Sequence, residues 1–175
     1  MRQEIELTAL SLDAKNPRME EQPGHRDAIR TLFTEYPKDM VNLAEDIVNY
    51  GLNPLENVGV SPLSKSRYFV REGNRRVAAL CVLHSPDVIK GVLTDALSKK
   101  LRDISKKFLV NPIERIECEV LPEDQWGRWI TLRHTGPNEG RGLVAWGPVE
   151  KARYLHRTGA GKKAIELQFI DWYKS

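Results

Sequence analysis

Apolar residues recur along this chain with two different periods, and the two periods predict strands mixed with helices. Alternation or short apolar runs predict strands over residues 5–7, 52–60, 67–70 and 116–120. Helical spacing predicts helices over residues 41–50, from about residue 74, over 87–106 and over 123–132. Gly51 is expected to follow the end of the first helix, and Pro148 is expected in the first turn of a further one.

The predicted hairpin of residues 52–70 leads into the segment with the most informative chemistry. Strand 67–70 runs through Glu72 and Gly73 into a helix whose first turn carries Arg75 and Arg76. Unpaired N–H groups at a helix N-terminus attract anions, a glycine permits close backbone approach, and an arginine fork can bind phosphate in a bidentate way. The segment therefore predicts a phosphate site, and an ordinary strand-turn-helix with solvated arginines stays open as the alternative.

Composition and charge set limits on the class of protein. The chain has 175 residues, of which 41% are hydrophobic and 29% are charged, as expected for a domain with a substantial core. No apolar run approaches the roughly 20 residues that span a bilayer, and the N-terminus lacks the apolar region of a signal peptide. We therefore expect a cytoplasmic protein with no membrane partner. The net charge of +3 is too small to indicate a nucleic-acid partner by itself.

Cysteine and tryptophan residues are better explained by packing than by chemistry. Cys81 and Cys118 lie in apolar segments without CxxC spacing, so we expect two buried thiols rather than a metal site or a disulfide. Trp126 and Trp129 lie at helical spacing beside Leu132, so core packing is expected for them ahead of base stacking.

Four short motifs together resemble the N-terminal domain of ParB and its relative sulfiredoxin. They occur in the family's order, from about Leu12 to Leu155: Asn16-Pro17-Arg18, Gly51-Leu52-Asn53-Pro54-Leu55, Gly73-Asn74-Arg75-Arg76, and Trp146-Gly147-Pro148-Val149-Glu150-Lys151-Ala152. The resemblance implies a ParB/sulfiredoxin-like α+β fold, with a small mixed sheet flanked by helices and followed by a helical C-terminal region. It implies a nucleotide-binding domain over residues 1–122 and a helical region over 123–175 that resembles the start of a helix-turn-helix segment.

The resemblance also implies a ligand and a set of site residues. ParB binds and hydrolyses CTP with Mg²⁺ and closes as a clamp on DNA, so we expect CTP or ATP with Mg²⁺, slow hydrolysis, and coupling to DNA engagement or to self-association as a homodimer. Asn53 and Pro54 would border the base or ribose. The phosphates would be held by Gly73, Asn74, Arg75 and Arg76.

Two departures from the family pattern change what is expected. Sulfiredoxin needs a nucleophilic cysteine where this chain has Asn74, so sulfiredoxin activity is not expected. The second ParB motif, Glu-Asn-x-x-Arg, is replaced by Arg133-His134-Thr135-Gly136, so the metal ligands stay unknown. Within the replacement, Arg133 and Thr135 are expected to meet the outer phosphates. His134 is expected either to join them or to cap its helix.

Carboxylates and basic residues complete the candidates. Glu72 and Glu139 are the carboxylates best placed to hold Mg²⁺ or to activate water, with Glu72 as the candidate catalytic residue; the alternative is that both are solvated loop charges. The C-terminal part is basic around Gly159-Ala160-Gly161, as in the DNA-contacting region of ParB relatives. The candidate DNA-binding residues there are Arg153, Arg157, Lys162 and Lys163.

Two other functions stay open on the sequence. One is an enzyme that uses the same cleft for phosphoryl transfer or phosphodiester cleavage with Glu72 as general base, although no second carboxylate pair at metal-binding spacing lies near it. The other is a DNA or protein adaptor whose nucleotide pocket has degenerated.

Overall fold

The computed structural model describes residues 1–13 and 22–158 of the chain, and within them it shows an α+β fold. The strands are β1 (Arg2–Glu6), β2 (Leu10–Leu12), β3 (Val58–Ser64), β4 (Arg67–Glu72) and β5 (Arg115–Val120). The helices are α1 (His25–Glu35), α2 (Pro37–Tyr50), α3 (Asn74–His84), α4 (Asp95–Phe108), α5 (Glu123–His134) and α6 (Pro148–Thr158). Short 3-10 segments occupy Leu7–Ala9 and Pro86–Ile89.

The five strands form one mixed sheet in the order β1-β5-β3-β4-β2. Strands β1 and β5 pair antiparallel, as do β3 and β4, whereas β3 with β5 and β2 with β4 are parallel. The parallel pairs join strands that are distant in sequence, so helices lie in the connections between them. The predicted α+β fold with a small mixed sheet flanked by helices is therefore confirmed.

Helix α3 lies at the centre of the helical layer and contacts α1, α2, α4 and strand β2. It is buried on most of its surface, with Val77, Ala78, Leu80 and Leu83 fully inaccessible. A helix that is apolar on nearly all sides is stable only inside a core, because its burial removes each of these side chains from water. The first turn of α3 is thereby held in a fixed position relative to β4, the strand that precedes it.

Several element boundaries differ from the sequence predictions. The strand predicted over residues 52–60 begins only at Val58. It continues through Ser64, into residues 61–66 that were predicted as the connecting turn. Its pairing to β4 has register shifts between Gly59 and Val60 and between Pro62 and Ser64. The helix predicted over 87–106 is divided at Gly91, whose φ of +79° does not continue a helix. Helix α1 and strand β2 were not predicted.

The chain divides into two compact units, Met1–Gly127 and Arg128–Ser175. In the described part of the chain, no helix is long and apolar enough to cross a membrane. The predicted motif Asn16-Pro17-Arg18 lies outside the described residues, as do Lys162 and Lys163.

Candidate functional site

The turn between β4 and α3 is built around Gly73. Its φ is +89°, a left-handed conformation that favours glycine, and it precedes Asn74, the first residue of α3. A Cβ at this position would lie 2.9 Å from Nη2 of Arg76 and 3.1 Å from Cγ2 of Val58. Gly73 also has no side chain that could accept hydrogen bonds from the first turn of α3. The strand-glycine-helix arrangement predicted for this motif is therefore confirmed.

Arg76 folds back beneath this turn and joins it to the segment that follows α2. Its guanidinium donates to the carbonyl oxygens of Glu56 and Asn57, and Nη1 lies 3.1 Å from Oε2 of Glu56. Nη2 lies 3.8 Å from Oε1 of Glu72. Arg76 is 7% exposed, so these partners compensate a charge that would be costly to bury alone. The arginine is already bound to carboxylates, which differs from the solvated arginine of the alternative prediction.

Two more of the predicted nucleotide-binding residues, Asn53 and Pro54, lie just before Glu56 in the segment that leads to β3. Asn53 Oδ1 accepts a hydrogen bond of 3.0 Å from the backbone N–H of Leu55, and the carbonyl of Asn53 accepts one of 3.1 Å from Glu56. This Asx turn leaves Asn53 and Pro54 exposed, and it replaces the strand predicted here. Arg76 of the 73–76 motif contacts Glu56, which directly follows the 51–55 motif and is hydrogen-bonded to Asn53.

Asn74 and Arg75 occupy different environments in the first turn of α3. Asn74 is buried, and its Oδ1 accepts a hydrogen bond of 3.1 Å from the backbone N–H of Asp13. Arg75 is half-buried, and within the described part of the chain its Nε is a buried donor without a hydrogen-bond partner. Asn74 therefore connects the residue that follows β2 to the turn at Gly73.

A half-buried arginine, Arg71, lies near the end of β4 and was not predicted as a site residue. Its guanidinium contacts Oδ2 of Asp13 at 3.1 Å, Oγ of Ser61 at 2.9 Å and Oε1 of Glu123 at 2.7 Å. Its sequence offers no signal for this role, because the partners come from three distant segments. Glu56 was also missed, although it follows the 51–55 motif directly.

The candidate carboxylates have arginine partners. Glu72 is half-buried and pairs with Arg76, so it is not the freely solvated charge of the alternative prediction. Glu139 pairs with Arg141. Among the described residues, no group of three or more His, Cys, Asp or Glu side chains is arranged to hold a metal ion. The catalytic role of Glu72 stays a prediction.

The segment that replaces the second ParB motif forms the end of α5 in the unit Arg128–Ser175. Arg133 and His134 lie in the last turn, which is consistent with a favourable interaction with the helix dipole. The backbone N–H and Oγ1 of Thr135 both donate to the carbonyl of Thr131, at 2.9 and 2.7 Å. Gly136, with a φ of +90°, follows the helix end as predicted. Contact of these residues with phosphates stays a prediction.

The loop after Gly136 is held by its own hydrogen bonds. Asn138 Nδ2 donates to Oγ1 of Thr135 at 3.0 Å and to the carbonyl of Gly136 at 2.9 Å. A Cβ at Gly142 would lie only 2.0 Å from the carbonyl oxygen of Gly136. Gly142 is therefore required for the close approach of two backbone segments within this loop.

Helix α6 carries the candidate DNA-binding residues that the structure describes. Arg153 and Arg157 are both exposed and four residues apart, so they share one side of the helix. The guanidinium of Arg157 lies 5.9 Å from the ring centroid of Tyr154, and this ring contacts Trp146 at 5.1 Å. DNA contact by Arg153 and Arg157 stays a prediction.

The tryptophan predictions are only partly confirmed, and the thiols are free as expected. Trp126 is buried, but Trp129 is 51% exposed, so core packing was wrong for Trp129. Cys118 is buried and Cys81 is half-buried, and neither forms a disulfide. Burial raises the pKa of Cys81 to about 11 and that of Cys118 to about 12, so both thiols are neutral at pH 7.

Comparison with known proteins finds a resemblance in structure but none in sequence. No protein-family model and no curated protein sequence matches this chain. The structure is similar to that of the C-terminally truncated chromosome-partitioning protein ParB from Caulobacter crescentus complexed with CTP-gamma-S. The TM-score is 0.46 at 14% identity, over 93% of this chain and 66% of that one. The chain thus spans slightly less than two thirds of that ParB chain.

Proposed function

We propose that this protein is a ParB-like nucleotide-binding domain that couples binding of CTP or ATP with Mg²⁺ to DNA engagement or self-association, with slow hydrolysis. The observation that carries the proposal is the position of Arg76. This side chain links the Gly73 turn to the Asn53–Glu56 segment, so the proposed phosphate-binding and base-binding elements are neighbours.

An exchange of partners at Arg76 is the central step. The carboxylate of Glu56 is about half exposed, whereas Arg76 is buried, so Glu56 can rotate away without opening the core. The incoming phosphate then takes its place on the guanidinium, and the N–H groups of the first turn of α3 contribute further donors. Nucleotide binding thereby releases the Asn53–Glu56 segment from its ion pair with the turn.

Magnesium is expected to bind together with the triphosphate. It is normally held by one or two carboxylates together with substrate phosphates, and Glu56 and Glu72 are the carboxylates beside Arg76. The ion would neutralise charge on the phosphates. Glu72 is the candidate for orienting or activating the attacking water. In the unit Arg128–Ser175, Arg133, His134 and Thr135 are proposed to contact the outer phosphates, and Arg153 and Arg157 to contact DNA.

Calorimetry with CTP, ATP, GTP and UTP in the presence of Mg²⁺ tests the proposal. One nucleotide should bind the wild type, and Arg76→Lys and Asn53→Ala should each weaken it at least about tenfold, a difference of about 1.4 kcal/mol. Lysine keeps the positive charge that Glu56 and Glu72 require, so the loss of the fork is separated from a loss of folding. Lys100→Gln, which removes a surface ion pair with Glu45, is the matched control.

Three further results decide between the parts of the proposal. Unchanged affinity in both site variants, at wild-type thermal stability, would place the nucleotide elsewhere. Slow release of phosphate that is lost in Glu72→Gln would support the assigned catalytic role. DNA affinity that falls in Arg153→Gln with Arg157→Gln, and that depends on the nucleotide, would support the coupling.

A second candidate function is favoured by the same ion pairs. Because Arg76 already contacts two carboxylates, the pocket can be a structural element of a DNA or protein adaptor that binds no nucleotide. In that case none of the four nucleotides binds, and DNA affinity is independent of nucleotide.

A further inference from the structure

A second cavity lies at the other ends of the two elements that form the proposed nucleotide site. Gly73 joins the end of β4 to the start of α3, whereas this cavity is lined by Arg67 at the start of β4 and His84 at the end of α3. Its volume is about 620 Å³, within the range of small-molecule sites. Its lining belongs entirely to the unit Met1–Gly127. The cavity is therefore a separate candidate site.

Two residues of opposite charge in the lining of this cavity, Arg67 and Glu114, have no ion-pair partner among the described residues. Arg67 donates to Oγ of Ser11 at 3.1 Å but has no carboxylate partner among the described residues. The side chain of Glu114 likewise has no ion-pair partner in the described part of the chain. A third charged residue of the lining, Arg115, lies 3.8 Å from Oε1 of Glu6 and is thus already paired. One cation and one anion are left for a ligand.

The lining also contains an oriented hydrogen-bond donor and an apolar surface. Nδ1 of His25 accepts a hydrogen bond of 3.0 Å from the backbone N–H of Leu12, so in the neutral ring the hydrogen is on Nε2. Leu7 and Leu10 are buried residues that contribute the apolar part of the wall. An anionic group is accommodated by Arg67 together with His25, and an apolar body by the two leucines.

The end of α3 favours a positive group in the same cavity. His84 ends this helix, and the partial negative charge of a helix C-terminus attracts cations. Nε2 of His84 lies 3.0 Å from the carbonyl oxygen of Ile113, which assigns the ring hydrogen to Nε2 and leaves Nδ1 as an acceptor. Glu114 adds a full negative charge. Cys81 completes this side as a neutral thiol, so the cavity is suited to binding rather than to nucleophilic chemistry.

We propose that this cavity binds a small zwitterion with an apolar body, the chemical class of the free amino acids. The anionic group of the ligand lies against Arg67 and His25, the cationic group lies towards Glu114 and the end of α3, and the apolar body contacts Leu7 and Leu10. This assignment uses both unpaired charges of the lining at once. It is independent of the proposed nucleotide site, because the cavity shares no residue with that site.

Nuclear magnetic resonance of the imidazole signals of the full chain tests the proposal. Each standard L-amino acid is added singly at millimolar concentration, and an apolar one should shift the signals of His25 and His84 in a saturable way. The best ligand is then compared with its N-acetyl derivative, which lacks the positive charge, and with its amide, which lacks the negative charge. Both derivatives should bind at least about tenfold more weakly, which is about 1.4 kcal/mol.

Two charge variants assign each end of the ligand. In Arg67→Gln the free amino acid should lose its advantage over the amide, and in Glu114→Gln it should lose its advantage over the N-acetyl derivative. Arg102→Gln and Glu117→Gln change exposed charges outside the cavity lining and should leave both ratios unchanged. The proposal is overturned if no amino acid shifts the two histidine signals, or if the derivatives bind as well as the free amino acid. It is also overturned if Arg67→Gln and Glu114→Gln both keep the wild-type ratios of affinity between the free amino acid and its two derivatives.

Discussion

A methyl group added at Gly59 tests how the sheet is covered on the side of Trp126. Gly59 lies in the middle of the sheet, paired with Glu72 of β4 and Glu119 of β5, so the strand cannot move aside. A Cβ built there would lie 2.2 Å from Cη2 of Trp126, 2.7 Å from Cζ3 and 3.0 Å from Cζ2. Carbon atoms in contact are about 3.5–4.0 Å apart, so in Gly59→Ala the indole must shift by more than about 1 Å.

The size of the effect follows from what the indole loses when it moves. Nε1 of Trp126 donates to the carbonyl oxygens of Val60 and Leu121, at 3.2 Å each, and the residue is 8% exposed. Overpacking of a core costs about 1–3 kcal/mol, and a weakened hydrogen bond adds about 1 kcal/mol. We therefore expect Gly59→Ala to lower the free energy of unfolding by about 2–4 kcal/mol.

Urea unfolding followed by far-ultraviolet circular dichroism measures this loss. Gly127→Ala is the matched control, because Gly127 neighbours Trp126 in α5 and nothing lies within 4 Å of its added Cβ. Replacing a glycine inside a helix by alanine should raise the free energy of unfolding by about 0.5–1 kcal/mol, whereas Gly59→Ala should lower it. A Trp126→Leu background should remove most of the Gly59→Ala penalty. A Gly59→Ala effect smaller than about 0.5 kcal/mol, or one that persists in that background, would refute the assigned contact.

Three further predictions concern the site and the titratable groups. Gly73→Ala should be more destabilising than Gly91→Ala in urea unfolding. Both glycines have φ near +80 to +90°, but an added Cβ contacts Arg76 and Val58 at position 73 and nothing within 4 Å at position 91. Equal losses of stability would contradict that contact. Burial, followed by the charge of Arg67, lowers the pKa of His25 below its usual 6.5, so the unfolded chain binds more protons and the free energy of unfolding should fall as pH drops below about 6.5. His25→Asn should flatten that part of the profile, and an unchanged slope would assign it to other groups. With its pKa raised to about 11, Cys81 should react with iodoacetamide at pH 8 roughly a hundredfold more slowly than in urea, and equal rates would contradict its burial.

Local signals were sufficient where one segment determines its own structure. The turn between β4 and α3 was predicted, because the strand pattern runs through Glu72 and Gly73 directly into residues at helical spacing. Gly51 was predicted to follow the end of a helix, and its N–H donates to the carbonyl of Ile47 at 2.8 Å. Helix α1 was missed although Ala28, Ile29, Leu32 and Phe33 have helical spacing, because polar residues and Pro23-Gly24 before it indicated a loop.

Other features were predicted wrongly, either because a local turn was missed or because their partners are distant in the chain. The segment before β3 was predicted as a strand from its apolar residues, but the side chain of Asn53 folds it into a turn. Pro62 was expected in a turn, yet the register shifts on either side of it keep the residue within β3. Core packing was expected for both Trp126 and Trp129 from their helical spacing. Trp126 packs against Gly59 and donates to the carbonyls of Val60 and Leu121, whereas Trp129 is exposed.

The sequence by itself determined the α+β composition, the strand-glycine-helix turn and the choice of Gly73 and Arg76 as candidate ligands, because each follows from periodicity and turn chemistry within about ten residues. Only the tertiary structure decided what Arg76 contacts. Both of its carboxylate partners precede it in the chain, Glu72 by four residues and Glu56 by 20, and a buried guanidinium binds whichever carboxylates the fold brings near. The cavity at the other end of α3 was also decided by the fold, since its lining comes from segments that meet only when the sheet and helices pack together.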